Sequence, residues 1–151
     1  MVDHAFLWAF VLILGVVFGA GLYEQRISVP RWVSRGAWHR EEAVRDDTGR
    51  RFWGFTTTVP LTLLTLANLW AGAHASAPLQ KWWLLAAGLA LAERVFTVAY
   101  FIPSMVGLMQ SDDSPQARAG ASQWAALNWP RLGLTLLAWL AAMQAFALAQ
   151  P

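Results

Sequence analysis

Glu93 and Arg94 stand side by side in "ALAERVFTVAYFIP", residues 90–103, with apolar residues on both sides of them. A further cation, Arg131, is the only charge between Ala121 and Ala149. Helical spacing adds polar neighbours to each. Glu93, Thr97, Tyr100 and Ser104 share one face of a helix, and Asn128, Arg131 and Thr135 share a face of another. Thr58, Thr62 and Thr65 repeat the pattern in a third segment, and Tyr23, Glu24 and Arg26 close a fourth. Carboxylates beside arginines, with tyrosine and asparagine donors, are the groups that move protons and hold anions. Isolated threonines fit plain interhelical hydrogen bonding. Two carboxylates, three arginines, two tyrosines and an asparagine that can converge point instead to a ligand or catalytic site.

The elements that carry these residues are set by the solvent. The chain is 57% hydrophobic and only 13% charged, outside the usual soluble range. Ala5–Tyr23 and Phe52–Ala73 contain no charged residue, Trp82–Met109 is interrupted only by Glu93–Arg94, and Ala121–Ala149 only by Arg131. About 20 apolar residues in a helix cross a hydrocarbon layer of roughly 30 Å. The expectation is a single all-α domain over residues 1–151, a transmembrane four-helix bundle with spans at 5–23, 52–73, 82–109 and 121–149. Tryptophans mark most of the helix ends, where an indole keeps its ring apolar and its N–H wet. Trp139, in mid-segment, reads as a packing or ligand-facing residue.

Seven of the eleven basic residues (Arg26, Arg31, Arg35, Arg40, Arg45, Arg50 and Arg51) fall in the first loop, 24–51. The third loop adds Arg118 and the second has only Lys81. Positive-inside asymmetry puts loops one and three in the cytoplasm and both termini outside, N-out/C-out, in a bacterial inner (plasma) membrane. The basic balance is thus a topological signal, with no nucleic acid implied. In "HREEAVRDDTGRR" the mixed signs read as a solvated interfacial helix, with an anionic-lipid patch as the second reading. The start, Met-Val-Asp-His, lacks the positive n-region of a signal peptide.

By rise per residue, Glu93 lies about 16 Å into its helix from one side and Arg131 about 14 Å from the other. A lone charge there costs several kcal/mol, so Glu93 and Arg131 are expected to face inward and pair. Arg94 points about 100° away and needs another partner, a wet cavity or a subunit contact. Pro60, Pro103 and Pro130 fall at similar depth in the cytoplasmic half, where bends widen the bundle into a cavity. Gly15-xxx-Gly19 allows a close helix approach. The chain has no cysteine, no mid-membrane histidine pair and no Glu-x-x-His, so neither a metal nor another cofactor is expected. His4 and His74 read as exposed terminal histidines.

The stretches "GVVFGAGLYEQRISVPRW", "TVAYFIPSMVGLM" and "WAALNWPRLGLTLLAWLAAMQAFAL" resemble the anthrone oxygenase-like family of small four-helix membrane proteins. Its W-x3-N-x2-R element is matched by Trp124, Asn128 and Arg131. The resemblance implies a cofactor-independent oxygenase acting on a hydrophobic aromatic substrate. Glu93 or Glu24 would then act as base, and Arg131 and Asn128 would stabilise the anion. Tyr23, Tyr100 and Trp124 would wall a flat ring system, with Arg94 beside them. The expected partners are membrane lipid and a hydrophobic small molecule, within a homo-oligomer or a larger complex. The competing readings are a glutathione- or eicosanoid-type transferase, whose Arg- and Asn-rich stretch is missing, and a non-catalytic accessory subunit or lipid- or quinone-binding protein.

Overall fold

Long apolar segments satisfy their own backbone only as helices, and helix dominates the computed structural model. It describes residues 2–34 and 36–149, with side chains except those of Val2, Asp3, His4, Arg50 and Thr56. In order these are α1 (Val2–Tyr23), a π-helical segment π1 (Glu24–Ser28), α2 (Val29–Trp32), a hairpin of β1 (Val33–Ser34) and β2 (Ala37–Trp38), and α3 (Arg40–Asp46). Then follow π2 (Gly49–Thr58), α4 (Val59–Ala73), α5 (Leu79–Phe96), π3 (Thr97–Phe101), α6 (Ile102–Gln110) and α7 (Pro115–Ala149). Three continuous helical units, Ala5–Trp32, Leu79–Gln110 and Pro115–Ala149, are long and apolar enough to cross a membrane. The chain is an integral membrane protein of all-helical build. Of the expected terminal histidines, His4 lies outside the described side chains, and His74 is exposed against Trp70.

Helix α1 packs on α4 and α7, and α5 packs on the same two, which closes a ring of four helices. The packing differs along its length. Near the α4–α5 turn, Ala86, Ala87 and Ala90 of α5 meet Ala138, Ala141 and Ala142 of α7, with Phe10, Leu14 and Leu61 filling between them. Small side chains let those backbones approach closely. Toward the hairpin the buried set becomes larger side chains, Trp32, Trp38, Phe101, Leu108 and Trp124. Gly15 allows one close approach, since a Cβ there would lie 3.0 Å from the Trp139 ring, whereas Gly19 has open space around it. Trp139 is therefore a packing residue.

The π segments have a common cause. Each ends two residues before a proline, Pro30, Pro60 or Pro103. Proline has no N–H and its ring collides with the carbonyl four residues back. An i→i+5 turn takes up the mismatch: the N–H groups of Val29, Val59 and Ile102 reach the carbonyls of Glu24, Gly54 and Thr97. Pro130 sits inside the unbroken α7.

The expected first loop is mostly ordered. Helix runs on past Tyr23 to Trp32 and resumes at Gly49, leaving the hairpin and α3 between. The mixed-sign segment forms α3, with Arg45 on Glu42 and Arg31 on Asp46 at 3.1 Å. Trp38 Nε1 donates to the Leu108 carbonyl (3.1 Å) and Arg40 Nε to the Met109 carbonyl (2.8 Å), so the hairpin caps the end of α6. Helix α7 begins earlier than its apolar run, because the Ser114 hydroxyl caps the Ala117 N–H (3.1 Å) and Pro115 suits a first helical turn.

Candidate functional site

The three π segments meet around a cavity of about 330 Å³ at the hairpin end of the ring. Glu24 enters it from π1, Trp53 and Thr58 from π2, and Thr97 and Phe101 from π3. Arg94 of α5, Trp32 of α2, and Trp124 and Arg131 of α7 add to the wall, with Asp47 and Thr48 from the segment after α3 and Met105 and Met109 from α6. A π turn carries an extra residue, which moves side chains out of the register that packs them against neighbouring helices, and such turns recur at functional sites. The local cause of the cavity is thus a proline after each of three π segments.

Glu24 is buried, and both of its hydrogen bonds fall on one oxygen. The Thr48 hydroxyl donates to Oε1 at 2.7 Å and Trp53 Nε1 donates to it at 2.8 Å. The other oxygen accepts neither bond. Glu93 is differently placed. Arg94 Nε donates to its Oε2 (2.6 Å), a second Arg94 nitrogen is paired with the same oxygen, and the Thr97 hydroxyl donates to Oε1 (2.8 Å). Both oxygens of Glu93 are engaged, and the cavity is lined by its partners Arg94 and Thr97 rather than by Glu93 itself.

The expected Glu93–Arg131 pair is therefore indirect. Arg131 Nη1 lies 3.5 Å from the Thr97 hydroxyl, which in turn bonds Glu93. Arg94 needs no partner from another helix, because its long side chain folds back on its own neighbour. The Arg131 guanidinium lies over the Phe101 ring, its carbon 4.6 Å from the centroid, with Trp53 at 6.0 Å. Such stacking attracts a cation without neutralising it. Arg31, Arg40, Arg45, Arg51, Arg94 and Arg118 each have a carboxylate within 4.0 Å. Of the described arginine side chains, Arg131 and Arg26 lack one, and Arg26 lies over Trp129 at 5.0 Å.

Among the other expected site residues, Trp124 lines the cavity and donates its Nε1 to the Phe101 carbonyl (3.2 Å). Tyr23 does not line it, being 64% exposed on the outer face. Tyr100 is stacked on Phe96, with centroids 5.7 Å apart, and Phe101 occupies the inward position instead. The register of the π turn explains this, since the i+3 residue falls short of the face that the i+4 residue reaches. Asn128 is fully buried outside the cavity. Its Nδ2 donates to Gln25 Oε1 (2.5 Å), while Gln25 Nε2 donates to the Ala125 carbonyl (3.0 Å), a clamp between π1 and α7.

Sequence reasoning passes over Gln25, Thr48, Trp32 and Phe101, and treats Trp53 only as a boundary marker. The one available signal is Gln25, adjacent to Glu24 at a helix end. It also misses Asn68, which accepts from Trp83 Nε1 (2.8 Å) and donates to the Phe6 carbonyl (3.2 Å), a polar lock far from the cavity. Among the described residues no three carboxylates or imidazoles gather into a metal site. Chemically, the cavity offers a carboxylate with one oxygen free of the Thr48 and Trp53 bonds, a guanidinium with no carboxylate in direct contact, and aromatic walls. The chain matches no protein-family model, no curated protein and no solved structure.

Proposed function

We propose that this protein is a four-span enzyme of a bacterial plasma membrane, N-out/C-out, that oxidises a hydrophobic aromatic substrate with O₂ and without a cofactor. The fourth crossing is π2–α4, which packs within the ring beside α1 and α5. The observation that carries the reading is Arg131, a guanidinium over Phe101 with no carboxylate within 4.0 Å, in a cavity that also contains Glu24. A buried cation with no direct ion pair favours a ligand that carries or develops negative charge. A volume of about 330 Å³ suits a small molecule.

The chemistry follows from these groups. A ring CH₂ made acidic by a neighbouring carbonyl loses a proton to Glu24, and the resulting enolate is held by Arg131. The enolate carbon bonds O₂ to give a peroxide anion, which takes the proton back from Glu24. Loss of water then leaves a ketone, so that R₂CH₂ and O₂ become R₂C=O and H₂O. Glu24 takes the role of base in preference to Glu93 because both oxygens of Glu93 are already bonded. Resemblance to anthrone oxygenases at Trp124 and Arg131 supports the same substrate class. The accessory-subunit reading loses its main motive, since Glu93 supplies the counter-charge that Arg94 would otherwise seek on a partner helix.

The test is O₂ uptake by purified protein in nanodiscs supplied with a hydroxylated anthrone. Wild type should consume one O₂ per ketone formed. Glu24→Gln should slow turnover by at least a hundredfold, and Arg131→Gln should weaken binding as well as turnover. Uptake no faster than in empty nanodiscs, or full activity in Glu24→Gln, would refute the assignment.

A further inference from the structure

Trp32, Asp47, Thr48 and Gly49, which bracket the hairpin and α3, line the loop end of the cavity, and residues of π2 and α6 line its flank. Hydrogen bonds that hold the cap include Trp38 Nε1 to the Leu108 carbonyl, Arg40 Nε to the Met109 carbonyl, the Trp38 N–H to Asp113 Oδ1 (3.2 Å), and Trp32 Nε1 to Asp46 Oδ2 at 2.9 Å. Trp32, Trp38 and Ala43 are buried beneath it. On the flank, Ile102 and Val106 both line the cavity and remain 45% and 50% exposed. Segment π2 packs chiefly on α4, and α6 on π3, α7 and α3, so that few contacts cross the seam between π2 and α6. The surface around the seam is apolar, with Phe55 85% exposed and Val59 and Val98 more than half exposed. Such a surface belongs to hydrocarbon rather than water.

Resting on the enzyme reading above, we infer that the seam is a lateral portal from the bilayer, and that the substrate is a membrane-dissolved aromatic carrying a hydrocarbon tail. The charged groups of the cavity, Glu24, Asp47, Arg94 and Arg131, lie outside α6, whose lining residues are all apolar, so an aromatic head enters first to reach them. The tail then lies along Ile102 and Val106, about 6 Å of helix, and continues into the lipid. Met105 and Met109 line the path, and their unbranched thioethers adapt to a chain of variable shape. A water-soluble aromatic of the same head would have to pass the latched cap.

The experiment uses the full chain in phosphatidylcholine nanodiscs and two photoreactive probes, with labels mapped by mass spectrometry. One is a naphthol with a diazirine in a dodecyl tail, and the other is a sulfonated naphthol diazirine added from the aqueous side. The tailed probe should label residues 54–58 and 102–109 at least tenfold above other lipid-facing positions. That labelling should fall severalfold in Arg131→Gln, and by tenfold in Val106→Trp or Ile102→Trp variants whose unfolding is unchanged. Uniform labelling of all lipid-facing helices would overturn the portal, as would seam labelling that persists in Arg131→Gln. Equal labelling of the cavity by the sulfonated probe would overturn it too. Because the readout is binding, seam labelling in a protein that consumes no O₂ would refute the oxygenase alone.

Discussion

Replacing Glu93 by glutamine keeps the volume of the side chain and removes one charge, leaving the Arg94 guanidinium alone among helices. Glu93 is 2% and Arg94 6% exposed, and the pair shares an Nε–Oε2 bond of 2.6 Å. Breaking a buried pair by removing one partner costs about 3–5 kcal/mol, because the remaining charge is uncompensated. Arg94→Gln should cost about the same for the same reason. The double variant leaves two neutral amides and should lose far less than the sum, a coupling of about 3 kcal/mol, at the upper end for residues in contact. Glu93 and Arg131 meet only through Thr97, at 3.5 Å on the arginine side, so that cycle should give about 1 kcal/mol or less. Equilibrium unfolding in mixed micelles measures both cycles. Additivity within about 0.5 kcal/mol for Glu93 and Arg94 would refute the reasoning. So would a larger coupling between Glu93 and Arg131.

A reporter fused after Pro151 should be active only outside the cell, and one inserted near Gly49 only inside; reversed signals would sink the orientation. The hydrogen bond from Arg118, with a second from the Trp38 N–H, holds the Asp113 carboxyl at about 2, below its ordinary 3.8. A depressed acid stabilises the fold fully above its unfolded value and loses that stabilisation as pH falls through the folded one. The stability gap between wild type and Asp113→Asn should therefore close between pH 4 and about pH 2, as followed by thermal unfolding at each pH. Gly15→Leu should destabilise by about 1–3 kcal/mol through overpacking, because a Cβ already lies 3.0 Å from Trp139. Gly19→Leu, into open space, should be nearly neutral in the same unfolding assay; equal losses at the two sites would show that the Trp139 contact is not what limits Gly15.

The apolar segments are legible in the sequence because composition alone marks them, but their ends are not. Glu24, Gln25 and Arg26 look like the end of a span, yet the helix continues through them, since π1 absorbs the approach of Pro30 without breaking the chain direction. Depth arguments bring Glu93 and Arg131 to one level, yet only Arg131 lines the cavity, and Glu93 reaches it through Thr97 and Arg94. Angular arguments do less well. An ideal wheel turns Arg94 away from Glu93 by about 100°, but three methylenes let the guanidinium swing back. The wheel also selects Tyr100 over Phe101, because it has no means of counting the residue that a π turn takes up. The clamp of Asn128 on Gln25 joins helices distant in sequence, and nothing in either stretch names the other.

Three π turns, each ahead of a proline, lie around the one cavity. Amide protons in a membrane helix ordinarily resist deuterium, because solvent does not reach the bonds that hold them. Here each helix has a turn where one amide is absent and its carbonyl partner is left to find water or a side chain. Exchange along α1, α4 and α5 should therefore be slow, and rise within π1, π2 and π3. Loops are the usual place for a protein to bend, whereas here three helices each carry a π turn ahead of a proline beside the groups that would touch a ligand. Any bending at the cavity would thus fall within the spans themselves.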